Sequence, residues 1–449
     1  MKARRKFSCV LCDLLFRKAS KKSFQNILNS LRFWLAILTA VIIILKFVII
    51  SYPWPSVPPQ ECVYPPIKIE CGFVFDETHY IPAVRRMMLG DGSINREHPP
   101  LAKALMMLGI KLLGDNPIGW RFFITLSGAA SIYLIGLVAY ELTKDKKASF
   151  IAAALFAFDI TSFNLGSIAI LDPPTLMFSL LGTLFFLRRN WKLAGFTFGL
   201  AVLCKLTALL ALAAVLFMKL IIDVSKSRSI RDGLRNWMNV FEKVAFIAAV
   251  VFLAGLAVYD YNYHIFSTPF EHLDFMLNYH AGLTYSESDE VYLPLSWTNP
   301  IFQFPKRLYS VISVFINGKE YHVIAYYGLQ TPLWWMTWIV VAFSAYILLS
   351  NLKDRNMALT YLFVISWFSL TYLVYFPAAY ILHRWVYPFY FYMTVPAIAI
   401  GLSKMLRGDA LSELVLYAVL GMQLAWFIVF FPVKPLWFLQ MLEKIGISP

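Results

Sequence analysis

The sequence predicts an all-helical, polytopic membrane protein with about eleven transmembrane helices. Three observations lead there. The first is composition: 59% of the 449 residues are hydrophobic and only 15% are charged, against about 45–50% and about 25% in an ordinary soluble domain. The second is pattern. Apolar runs recur at roughly 33–51, 119–142, 148–163, 174–188, 193–205, 207–222, 244–259, 332–350, 358–376, 385–403 and 411–431, and one helical span uses about 20 apolar residues. The third is the placement of basic residues, which fall mainly in alternate short loops.

The first 32 residues carry nine Lys and Arg, from Lys2 to Arg32, so this basic segment, 1–32, is expected inside. The first apolar run has no small-residue cleavage site after it and reads as an anchor. Alternation then makes the later inside loops those with Lys144, Lys146 and Lys147; Arg188, Arg189 and Lys192; Lys219 to Lys243; Lys353 and Arg355; and Lys404 and Arg407. Together the inside segments hold 25 of the 40 Lys and Arg, as the positive-inside rule requires. The net charge of +14 is therefore a matter of orientation, and no nucleic-acid partner is expected. One membrane domain spans 33–431, with large outside loops at about 52–118 and 260–331. A short outside tail, 432–449, follows.

The first outside loop begins with Pro53, Pro55, Pro58 and Pro59, an extended start. Cys62 and Cys71 lie nine positions apart; a disulfide and two free thiols both remain open, since sequence does not give their separation. Cys9 and Cys12 form a lone CxxC without a second ligand pair, which argues against zinc. Cys204 reads as core. Lys46, within the first span, is expected to pair inside the bundle.

Chemistry gathers at the outer ends of spans. Phe75-Asp76-Glu77-Thr78-His79-Tyr80 sets two adjacent carboxylates beside a histidine; the plain alternative is an acidic first helical turn. Glu97-His98-Pro99-Pro100-Leu101-Ala102-Lys103 follows. Its double proline suits a helix start, and the run from Leu101 to Leu113 is too short to span and long enough for an interfacial helix. Asp172, before Pro173 and Pro174, is either a helix-start residue or an intramembrane functional carboxylate. Three outward cations, Arg121, Lys205 and Arg384, either snorkel to headgroups or line a polar cavity with these carboxylates. A transporter would bind near the midplane in symmetric broken helices; polar residues at span ends without an internal repeat weigh against one.

The ordered set FDETHY, EHPPLAK, ILDPP and GLAVLCKLTAL resembles the protein O-mannosyltransferases, which are C-type glycosyltransferases using a polyprenyl phosphate sugar. NPIGWRF, HLDFMLNYHAGLT, PLSWTNP, YYGLQTPLWW and ILHRWVYPFYFYMTVP follow the same family's order. HPPL is the most telling piece, because the lipid A aminoarabinose transferases carry lysine at the place of His98. The chain departs from the family in two respects. It has no room for the β-trefoil insertion of eukaryotic members, and Gly166 and Ser167 stand where an arginine is usual. It looks like a short prokaryotic, archaeal form.

The resemblance implies a C-type glycosyltransferase fold and a dolichyl-type phosphate mannose donor. The acceptor it implies is a Ser or Thr hydroxyl of a protein at the outer face, with inversion at the sugar. A glycolipid or cell-wall acceptor is the alternative. It implies Asp76 as base and Glu77 as acceptor-positioning group, with Arg121, Lys205 and Arg384 on the departing phosphate. His79, His98, Lys103 and Asp172 would shape the pocket, and Trp297 would line the acceptor groove. No cofactor is required; some C-type relatives use a divalent metal, which leaves one open. Eukaryotic relatives form dimers, so a dimer is open too.

Overall fold

A computed structural model describes residues 30–62, 69–286, 293–300, 307–316, 318–328, 330–350 and 359–447. The basic N-terminal segment with Cys9 and Cys12, and the loop with Lys353 and Arg355, lie outside them. The chain is mostly helical. Besides a four-residue helix at Pro332–Trp335, the helices are α1 (Leu31–Ile49), α2 (Glu77–Met88), α3 (Leu101–Leu113), α4 (Pro117–Thr143), α5 (Lys146–Ala157) and α6 (Ile160–Leu165). Then come α7 (Asp172–Leu187), α8 (Trp191–Cys204), α9 (Ala208–Lys226), α10 (Ile230–Tyr263) and α11 (Pro269–Ala281). The last are α12 (Thr337–Ser350), α13 (Leu359–Phe368), α14 (Tyr375–Tyr380), α15 (Val395–Met405), α16 (Ala410–Val429) and α17 (Leu436–Lys444).

Local chemistry sets seven of these helix starts. Asn116 caps α4 by accepting from the Ile118 and Gly119 amides, with Pro117 in the first helical position. Asp145, Asp159, Asn190, Ser229, Thr268 and Asp409 cap α5, α6, α8, α10, α11 and α16 in the same way, as short polar side chains do for orphan amides. Among the described residues, six helical stretches are long and apolar enough to cross a membrane: α1, α4, α9, α10, α16 and the run Leu359–Tyr380. The last joins α13 to α14 through a π-helical turn, Ser369–Leu373. Four further apolar helices, α7, α8, α12 and α15, are shorter. This is a multi-pass membrane protein.

The all-helical expectation misses one hairpin. Strands β1 (Arg307–Ile316) and β2 (Lys319–Gly328) pair antiparallel. Their sequence alternates β-branched and aromatic residues around Asn317-Gly318, a hairpin signature. The 432–449 segment is partly folded too. Its start adds to β2, through Ala325 N–H to Pro432 O and Lys434 N–H to Val323 O, and α17 follows.

Cys62 and Cys71 form a disulfide in the segment between α1 and α2. Lys46 is buried and donates to Phe163 O (2.6 Å) and Ser167 Oγ (2.9 Å). It pairs inside the bundle, with a helix end rather than a carboxylate.

Helix α3 reaches α4 through glycine. A Cβ on Gly109 would sit 2.1 Å from Gly119 O, and one on Gly119 would sit 2.1 Å from Gly114 O. Both contacts are with backbone, which has no rotamer to yield. Gly109→Ala is therefore expected to cost about 1–3 kcal/mol through overpacking. A lowered unfolding midpoint of the detergent-solubilised protein checks this.

Candidate active site

The acidic pair sits where α2 begins. Phe75 takes a left-handed backbone (φ 53°), which turns the chain into the helix. Its ring meets Phe389 edge-on at 4.9 Å. Asp76 occupies the N-cap position but has helical angles and makes no side-chain cap bond. Its carboxylate instead lines a cavity of about 570 Å³. Burial raises its pKa to about 7, with Lys205 opposing the rise and Asp172 adding to it.

Glu77, its neighbour, does something different. It is fully buried. It accepts two hydrogen bonds of 2.7 Å from Arg121 Nε and Nη2, one from the Val74 amide (2.8 Å) and one from the Ala169 amide (2.7 Å). Arg121 spends its remaining donors on Ile50 O, Tyr52 O and Gly72 O. Neither side chain lines the cavity. Glu77, expected to position acceptor, and Arg121, expected on the phosphate, are thus found bonded to each other and to backbone. Each is saturated by the other and by backbone, and together they hold the turn that presents Asp76.

Lys205, just past the end of α8, does line the cavity. Its ammonium bridges both oxygens of Asp172, at 2.9 and 3.0 Å, and lies 5.4 and 5.1 Å from the ring centres of Phe389 and Tyr390. Asp172, in the first turn of α7, is buried behind it. The cavity therefore has a carboxylate with a raised pKa and an ammonium paired with Asp172, which does not itself line it.

The opposite wall is the loop before α3. Asn95, Glu97 and His98 line the cavity from it, and His79 from α2. Burial lowers the His79 pKa and holds that of His98 well below the usual histidine range. Lys103 stands behind this wall, not in it. It is buried and donates to Asn95 O (2.5 Å) and His98 O (3.0 Å), so it ties the loop behind the cavity and does not line it. From outside, the Tyr259 hydroxyl donates to Gly92 O (2.6 Å) and His272 Nε2 to Arg96 O (2.8 Å). The Arg96 guanidinium covers Phe275 at 4.6 Å.

Two other expected residues fall away from the centre. Trp297 is completely buried, its ring 5.7 and 5.6 Å from those of Tyr372 and Tyr375. It offers no stacking face to an acceptor groove. Arg384 does not line the cavity; it sits in a short bridge pairing Thr284 with Arg384. Its charge, after burial, helps lower the His280 pKa to about 4.

His280 is the residue that sequence reasoning passed over. It lines the cavity, donates from Nε2 to Glu97 O (3.1 Å) and sets its ring 5.1 Å from that of His98. Tyr80, Tyr387 and Tyr390 are among the other lining residues. All of them lie within quoted family-like motifs, but only the fold shows that they converge. Among the described residues, no group of three or more His, Cys, Asp or Glu is arranged to hold a metal ion.

Residues 97–259 match the family described as dolichyl-phosphate-mannose-protein mannosyltransferase. A polyprenol-phosphate-mannose–protein mannosyltransferase of Mycolicibacterium smegmatis is 29% identical over 150 residues, covering 32% of this chain and 26% of that one. Protein O-mannosyl-transferase 2 of Drosophila melanogaster is 31% identical over 125 residues, covering 23% of this chain and 16% of that one. The chain thus matches about a quarter or less of the length of these two relatives. The fold resembles the S. cerevisiae protein O-mannosyltransferase Pmt1-Pmt2 complex bound to the sugar donor, with TM-score 0.64, 11% identity and coverage of 89% of this chain and 90% of that one. ArnT from Cupriavidus metallidurans bound to undecaprenyl phosphate gives TM-score 0.53 at 16% identity, over 86% of this chain and 62% of that one. At these identities the likeness is one of fold alone.

The buried pair generates a prediction. Removing one partner strands the other's charge, at a cost of about 3–5 kcal/mol. Glu77→Gln and Arg121→Met are each expected to lower the thermal midpoint sharply, and the double variant by less than the two losses combined. An Arg121→Met protein with normal stability and weakened donor binding would return Arg121 to the phosphate.

Proposed function

We propose that the protein transfers mannose from a polyprenyl phosphate donor to Ser or Thr hydroxyls of proteins, with inversion, at the outer membrane face. The observation that carries this reading is the shared cavity of Asp76 and Lys205. One supplies a proton acceptor and the other a cation for a phosphate.

The donor's chain stays in the bilayer, so its head must meet the acceptor at the membrane surface. Asp76 accepts the proton of the acceptor hydroxyl as its oxygen forms a bond to the anomeric carbon. The bond from that carbon to the phosphate oxygen breaks, and its electron pair leaves with the phosphate. Lys205 stabilises that growing negative charge and exchanges part of its contact with Asp172 for the phosphate. Arg384 supports the charge from the cavity's edge. His79, His98 and Glu97 face the sugar, and Glu77 and Arg121 hold the base in place. A lipid monophosphate gripped by a cation needs no further electrophile in this scheme.

The finer topology belongs to the same proposal. Eleven crossings, with the N-terminus inside and α3 lying in the interface, place the 52–118 and 260–331 segments on one outer face. Every wall residue of the cavity then comes from these segments or from an outer end of a span.

Two outcomes test the reaction. With a polyprenyl phosphate mannose and a Ser/Thr-rich peptide, the wild-type protein is expected to yield α-linked mannosyl peptide. Asp76→Asn is expected to lose at least about 100-fold in rate, the lower range of general-base catalysis. Equal rates would remove Asp76 as base; product on a glycolipid alone would change the acceptor class. The pH dependence is fixed in sign. A carboxyl raised to about 7 is protonated below that pH and ionised above it, so kcat/KM should rise as pH increases through about 7. A profile flat from pH 5 to 9 would contradict the assignment.

A further inference from the structure

Helix α17 carries a feature that the reaction does not use. Leu439 and Leu442 bury one of its faces, and Glu443 joins it to β2 through Lys319 and the Tyr321 hydroxyl. On the other face Trp437, Met441 and Ile445 are exposed, at 65%, 44% and 64%. Their spacing of four residues puts them in one stripe. Lys444, also exposed, lies at the edge of that stripe, where a long basic side chain can reach headgroups.

The helix is placed at the end of a membrane span. Helix α16 ends at Val429, and its last turn exposes Ile428 at 50%. Only residues 430–435 separate it from α17. Those residues are pinned by Pro432 O and the Lys434 amide to β2, and Lys434 Nζ donates to Val429 O (3.4 Å) and the Tyr327 hydroxyl (3.1 Å). The short connection keeps α17 at the level where α16 leaves the bilayer. A nine-residue helix is about 14 Å long, too short to cross. A water-facing helix there would expose its Trp, Met and Ile stripe; a helix lying in the interface buries it.

We propose that α17 is an in-plane interfacial helix whose Trp437–Met441–Ile445 stripe inserts into the outer lipid leaflet. The partner is the acyl-chain and headgroup boundary itself. Glu443 and Lys444 leave the helix without a large net charge, so apolar burial rather than anionic lipid drives the contact. The consequence is mechanical. The bilayer surface holds α17, α17 holds β2, and Tyr326 on β2 donates to Tyr52 O (2.8 Å), which also accepts from Arg121.

This inference rests on the membrane topology and not on the sugar transferred. The test uses full-length protein in phosphatidylcholine nanodiscs, with Cys9, Cys12 and Cys204 replaced by serine and the disulfide retained. Met441→Cys and, separately, Ile445→Cys carry an environment-sensitive fluorophore; Gly408→Cys, exposed in the loop before α16, is the water-facing control. Insertion predicts iodide quenching at 441 and 445 at least about threefold weaker than at 408, and strong quenching by lipid nitroxides placed high on the acyl chain. Replacing part of the phosphatidylcholine by anionic lipid should change neither. Iodide quenching equal to the control without nitroxide quenching would overturn the proposal. So would protection that appears only as protein concentration rises, which would mark a second copy as the occupant.

Discussion

The structure depends on one buried ion pair. Glu77 and Arg121 meet in a fork-to-fork geometry with no exposure of either side chain. Such a pair must be satisfied completely, because desolvation of two charges is costly. Here it is. The glutamate takes two backbone amides, and the arginine takes three backbone carbonyls. Those five backbone groups belong to the end of α1, the loop after it, the turn before α2 and the segment before α7. One salt bridge therefore ties together chain pieces that are far apart in sequence. The turn presenting Asp76 is rigid because its neighbour is the knot.

This constraint explains the division of labour in the acidic pair. Successive helix residues point about 100° apart, so only one of two adjacent carboxylates faces a given cavity. Glu77 turns inward to Arg121. Asp76, in the N-cap position without a capping bond, turns to the cavity. There, desolvation raises its pKa toward the working range of a base. Lys205 opposes that shift, and Asp172 balances the lysine's charge. Two ion pairs, one sealed and one at a cavity wall, thus serve different purposes.

Much of this was legible in the sequence. Composition and the period of the apolar runs gave the helical membrane class, and FDETHY, HPPLAK and ILDPP marked the segments that converge. The convergence itself was not legible. Glu77 and Arg121 are 44 positions apart, and Asp172 and Lys205 are 33 apart; no local pattern pairs them. Outward cations read alike as candidate phosphate ligands, yet burial makes Arg121 a scaffold and leaves Lys205 at the cavity. Lys103 is hidden in the same way, because its target is the carbonyl of His98 and not a substrate. His280 lies in a stretch with no sequence-local tie to His98, 182 positions earlier, and only the docking of α11 on the loop before α3 brings the rings together. The β1–β2 hairpin was the one element with a local signal, Asn317-Gly318 between alternating residues, that a helix-dominated composition overshadowed.

The central claim is that Asp76 and Lys205 face one another across a single reaction cavity while Arg121 stays with Glu77. A cryo-electron microscopy map of the full chain in a nanodisc with a bound polyprenyl phosphate tests it directly. The account predicts the phosphate inside the cavity, with an oxygen about 2.7–3.2 Å from Lys205 Nζ and the Glu77–Arg121 pair unchanged. A phosphate bound elsewhere, with Lys205 still fully engaged by Asp172, or one that draws Arg121 away from Glu77, would contradict it.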